Sequence, residues 1–147
     1  VRVASTSTKM LTCGAVKADE TIALAIALRT PLTGMRSSRS VGAAGVVRFL
    51  NTEAWVAEPT EPNRYRALDA GLHAPLRGPG AWLALAVGWS GGSMAPEGLP
   101  LVAPPPHAMG RAVNAAVLTA LARVPQSNRG RMLEHYVSMA EVLAKSS

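Results

Sequence analysis

Gly78-Pro79-Gly80-Ala81-Trp82-Leu83-Ala84-Leu85-Ala86-Val87-Gly88-Trp89-Ser90-Gly91-Gly92-Ser93 is the stretch whose reading decides the fold. Read as a strand entering a tight turn, its Gly88-Trp89-Ser90-Gly91-Gly92 segment matches the G-x-S-x-G elbow that lifts a nucleophilic serine above an α/β sheet. Read as a helix, the same residues form a buried apolar rod that Gly91 or Gly92 closes by taking the left-handed conformation. Composition favours the helix. Ala and Leu rather than β-branched residues fill Ala81 to Val87, and Gly78-Pro79 is a helix start that tolerates proline in its first turn. The elbow also requires a helix after the serine, which Ser93-Met94-Ala95-Pro96-Glu97-Gly98-Leu99-Pro100 cannot supply.

Downstream, the connector from Ser90 to His107 contains Pro96, Pro100 and Pro104-Pro105-Pro106, so neither a regular helix nor a central strand occupies it. Two periodic stripes follow: Met109, Ala112, Val113, Ala116, Val117, Ala120 and Leu121, then Met132, Leu133, Tyr136, Val137, Ala140, Leu143 and Ala144. Pro125-Gln126-Ser127-Asn128 reads as the joint of an antiparallel hairpin. Upstream, Pro59-Thr60-Glu61-Pro62 reads as a helix start with Thr60 as cap, and that helix should end before Gly71. A segment from about Ser38 to Val56 and another from Asp19-Glu20 to Thr30-Pro31 also read as helices. The expectation is an all-α compact bundle of about five to six helices with a long Pro/Gly-rich connector. Residues 1–16, Ser/Thr-rich and aperiodic, are expected to form a loosely ordered arm, and 17–147 a single helical domain.

Composition agrees with that expectation. The chain has 147 residues, 48% hydrophobic but only 4% aromatic, so its core must rest on Ala, Val, Leu and Met in close-packed helices. Its net charge of +6 allows contact with nucleic acid, an acidic protein surface or anionic lipid. The arginines come as separate pairs, Arg36 and Arg39, Arg64 and Arg66, Arg129 and Arg131, with no aromatic-interleaved groove. Cys13 is the only cysteine, which leaves no intrachain disulfide and fits a reducing cytoplasm. The polar run Ala4 to Lys9 before it argues against a signal peptide or a lipidated cysteine. The apolar centre from Ala81 to Trp89 is well short of the roughly 20 residues of a spanning helix.

No constellation of catalytic residues stands out. Ser90 could meet His107 or His135 with Glu97 or Glu134 as the orienting acid, but so short a helical chain lacks the sheet that serine hydrolysis uses. His73, His107 and His135 have no metal-ligand spacing, and Gly91-Gly92 lacks the Lys-Ser/Thr of a phosphate cradle, so neither a metal nor a cofactor is expected. Trp55 and Trp82 read as core. Trp89 either lids the core beneath the connector or offers a face to a partner. Pro104-Pro105-Pro106 favours a stiff polyproline II segment, either a plain connector or a presented surface.

Trp55 with Pro59-Thr60 and Arg64, Trp82, Trp89-Ser90-Gly91-Gly92-Ser93 with Ala95-Pro96, Leu99-Pro100, Pro104-Pro105-Pro106 and Gly110-Arg111-Ala112-Val113 resemble an uncharacterised family of small helical bacterial proteins. The resemblance covers about Trp55 to the C-terminus. It implies no catalytic residues and an accessory or adaptor role tied to contact-dependent secretion. The expected function is thus a non-catalytic cytoplasmic accessory protein that binds another protein through Trp89, Ser90, Gly91, Gly92, Ser93, Pro104, Pro105 and Pro106, with Arg64 and Arg66 beside them. Self-association as a homodimer is compatible with it. The alternatives are a basic nucleic-acid-binding module and, less favoured, a serine hydrolase using Ser90.

Overall fold

The computed structural model describes residues 43–75 and 77–146. Five helices and no strand occur among them: α1 (Ala43–Ala57), α2 (Glu61–Leu72), α3 (Pro79–Gly88), α4 (Ala108–Leu121) and α5 (Gln126–Ser146). The all-α expectation therefore holds. The arm at 1–16, the helix expected near 19–29, and Arg36 and Arg39 lie outside the described residues, as does any start of α1 before Ala43.

α3 is the axis of the packing, with α1, α2 and α4 all laid against it. Its Leu83, Ala84, Leu85, Ala86 and Val87 are each fully buried, as expected of a helix that is apolar on every face. Each large side chain among them contributes about 1.5–3 kcal/mol relative to exposure. On its α4 side lies a cluster of Leu83, Ala86, Ala112, Val113, Ala116, Val117, Ala120 and Leu121. The many alanines in that seam let the two backbones approach closely.

α2 and α3 run antiparallel in a single register, fixed by two places where a side chain would not fit. A Cβ on Gly71 would come within 2.9 Å of Leu85 Cγ, and one on Gly88 within 2.6 Å of Leu68 Cδ1 and 3.0 Å of Leu68 Cα. Gly71 therefore does not end α2; it is needed inside the helix because Leu85 occupies the space, and α2 continues to Leu72. At the other end, Thr60 takes the N-cap position with Pro62 in the first turn, but its hydroxyl makes no cap bond. Asn63 Nδ2 donates instead to the Glu58 carbonyl at 2.9 Å, tying the end of α1 to the start of α2.

α5 begins directly after Pro125, so Gln126-Ser127-Asn128 forms its first turn rather than a joint. The joint itself is 122–125, and Arg129 closes it by donating from Nε to the Val124 carbonyl at 2.9 Å and from Nη2 to the Ala122 carbonyl at 3.2 Å. A cation at the C-terminus of α4 is favourable there. α5 meets the core through long side chains, Met132, Leu133, Tyr136 and Met139. Tyr136 is buried, and burial pushes its phenol up from the ordinary value. No helix of the described residues is long and apolar enough to cross a membrane.

Candidate functional site

The connector from Ser90 to His107 forms an irregular strap whose start is fastened to the bundle by one guanidinium. Arg64, on α2, has a side chain only 2% exposed. Its Nη1 donates to two main-chain carbonyls, Gly88 at 2.6 Å and Ser93 at 2.8 Å. Its Nε and Nη2 donate to the two carboxylate oxygens of Glu61, both at 2.8 Å, in a bidentate pair. The Tyr65 ring lies 4.3 Å from the guanidinium carbon. Burying an unpaired charge would be prohibitive, and these contacts remove that penalty. The bond from Arg64 holds the Glu61 carboxyl below the usual range, and the Glu61 bond correspondingly raises the guanidinium.

Gly92 makes this arrangement possible. Its φ of +59° is left-handed, and a Cβ there would lie 2.9 Å from Arg64 Nη2 and 3.2 Å from Glu61 Oε2. The cap of α3 is Trp89 instead, whose amide bonds the Leu85 carbonyl at 2.9 Å. Ser93, also buried, carries the fastening onward. Its Oγ accepts from the Ala95 amide at 3.1 Å and from the Val102 amide at 3.0 Å, while the Met94 amide donates to the Val102 carbonyl at 2.8 Å. Residues 93–102 are thus a loop with its ends joined, ordered by its own hydrogen bonds. A turn from Pro105 to Ala108 (N···O 2.9 Å) leads into α4.

The residues expected at the site therefore separate into two sets. Arg64 and Ser93 are interior and hold the strap. Ser90 also turns inward, its hydroxyl donating to the Val87 carbonyl at 2.7 Å, and it follows a helix rather than the strand a nucleophile elbow needs. Trp89 is half-buried and packs on the α3–α4 cluster, its Nε1 enclosed without a protein acceptor. Gly91 is half-exposed with open space beside it, and Gly92 is exposed. Pro104 is half-buried, whereas Pro105, Pro106 and Arg66 are exposed.

The most solvent-facing apolar residues of the strap were not among those singled out: Leu99 is 57%, Leu101 85% and Val102 48% exposed. Their signal was present in the sequence as leucines and a valine inside a proline-broken stretch with Glu97 as its only charge. Gly88 was missed because its role arises from contacts between α2 and α3, and Glu61 because nothing local marks its i,i+3 neighbour Arg64 as buried. Among the described residues, no group of His, Cys, Asp and Glu is placed to hold a metal ion.

Residues 36–144 match a protein family described as Family of unknown function (DUF6931). No curated protein and no solved structure matches the chain.

Proposed function

The chain belongs to the DUF6931 family, and from that premise we propose that it is a non-catalytic accessory protein that binds another protein through the strap. The observation carrying this reading is the exposed apolar edge of Leu99, Leu101 and Val102 on a loop fastened from within by Arg64 and Ser93. Apolar side chains held in place bind with little further ordering cost, so a few of them suffice to anchor a partner's pocket. Pro105 and Pro106, later in the same strap, are exposed as well, and Trp89 at its start packs on the α3–α4 cluster. The inward bond of Ser90 supports the absence of chemistry in this role. A cytoplasmic setting and a link to bacterial contact-dependent secretion are the biological context proposed for it.

The test is affinity purification of the full chain against a Leu99→Asp/Leu101→Asp variant, with mass spectrometry of what each retains. Both side chains face solvent, so helical content and Tm should be unchanged while the partner captured by the unmodified chain is lost. A folded variant that retains every partner overturns the reading.

A further inference from the structure

At the end of the bundle opposite the strap, the turn from α2 into α3, the C-terminus of α4 and the first turns of α5 come together. Arg77, Arg123, Arg129 and Arg131 sit there, all exposed. The packing brings Arg77, Arg123 and Arg129 together, with Arg131 on another side of the same α5 turns. Arg123 Nη2 lies 3.0 Å from where a Gly78 Cβ would stand, next to Arg77, and Arg129 is bonded to the carbonyls on either side of Arg123. Arg77 lies over the Trp82 ring at 5.5 Å, and Arg131 Nη2 reaches Asn128 Oδ1 at 3.4 Å.

Among the described residues, none of these four guanidiniums has a carboxylate partner. Glu61 with Arg64, at the strap end, is an ion pair formed wholly among the described residues. Asp69, on the last turns of α2, has its carboxylate 3.0 Å from the His73 ring nitrogen Nδ1. The strap end differs: there Glu58, Glu61 and Glu97 are exposed beside the paired Arg64. Like charges at one end repel one another, and beyond the α4 cap made by Arg129, the Arg77–Trp82 contact and the Arg131–Asn128 bond, they bring no opposite charge to the fold among the described residues.

We propose that this end is a second interaction surface, and that it takes an acidic segment of a polypeptide. Guanidinium forks match carboxylates bidentately, and the contacts of Arg77, Arg129 and Arg131 hold three of the four in place. Duplex nucleic acid fits less well, because four guanidiniums fall short of the roughly 6–10 phosphate contacts of a salt-sensitive duplex binder. The aromatic ring at this end, Trp82, is half-buried beneath Arg77 and is no platform for stacked bases. This surface is independent of the strap, which is apolar and lies at the other end.

The experiment is fluorescence anisotropy with the full chain and two probes, a short dye-labelled Glu-rich peptide and a dye-labelled DNA duplex. The peptide should bind at low salt and weaken as salt rises. Arg77→Glu/Arg123→Glu should lower its affinity by more than about tenfold, since among the described residues neither side chain makes a hydrogen bond or ion pair that the reversal would break. Arg111→Glu/Lys145→Glu, an equal reversal of exposed charge elsewhere, should leave it within about twofold. Three results would overturn the proposal: no peptide binding at low salt, equal losses from both reversals, or tighter binding of the duplex than of the peptide at matched salt. Should the Glu pair fail to fold, Arg77→Gln/Arg123→Gln carries the same comparison.

Discussion

Arg64 donates from α2 to the main-chain oxygen of Ser93 at 2.8 Å, across 29 positions of sequence, and both residues are buried. The strap therefore depends on a charge inside the bundle. Arg64→Met removes the donors and leaves the carbonyls of Gly88 and Ser93 buried without partners, each costing about 1–3 kcal/mol. A loss of about 2–6 kcal/mol in urea unfolding is expected from the two together. Hydrogen exchange should show the Ala95 and Val102 amides, which bond Ser93 Oγ, losing protection first. An Arg64→Met chain as stable as the unmodified one would contradict this.

The α2–α3 register makes a sharp distinction between glycines. Gly88→Ala sets a Cβ within 3.0 Å of the Leu68 backbone, which cannot swing aside, and should cost about 1–3 kcal/mol. Gly130 lies within α5 with open space around it, so Gly130→Ala should stabilise by about 0.5–1 kcal/mol through helix propensity alone. Thermal unfolding of the two variants side by side checks the opposite signs.

Glu61 sets an acid limit on the fastening. Its carboxyl is held below the ordinary value in the folded chain, mainly by the bond from Arg64. A depressed folded value means that its contribution is complete above the unfolded carboxylate value, roughly 4.3, and is lost as pH falls through the lower folded one. Tm measured from neutral pH downward should fall less steeply for Glu61→Gln than for the unmodified chain in that acidic window. Parallel curves would show that the pair contributes nothing to acid sensitivity.

Exposure separates recognition from stability within the strap. Leu101→Ser alters a side chain 85% exposed and should change unfolding free energy by no more than about 0.5 kcal/mol. Ser93→Ala, eight positions earlier, removes the acceptor of two amides and should cost about 1–3 kcal/mol. The contrast is read in one series of denaturation curves.

The helices were legible wherever an apolar stripe met a proline or glycine boundary. Ala112, Val113, Ala116, Val117 and Ala120 mark the buried face of α4, and Gly78-Pro79 marks the start of α3. The first turn of α5 was less legible because Gln126, Ser127 and Asn128 are turn formers, yet the helix already begins at Gln126. Gly71 looked like a stop because propensity disfavours glycine in a helix; close packing against Leu85 overrides it. The strap was visible from its prolines, but its anchor was not. Arg64 beside Arg66 reads as a solvated pair, and nothing local in the sequence shows that one of them reaches across to Gly88 and Ser93.

Arg64 closes on main-chain oxygens, and the Ser93 hydroxyl closes on main-chain amides. The clasp thus draws on backbone atoms that every amino acid carries, while the side chains of Glu97, Leu99 and Leu101 take no part in it. Those positions are free to be rewritten without undoing the clasp, provided Gly92 and Ser93 stay as they are. The segment is in that sense a graftable element: a fixed frame on which different recognition surfaces can be spelled out.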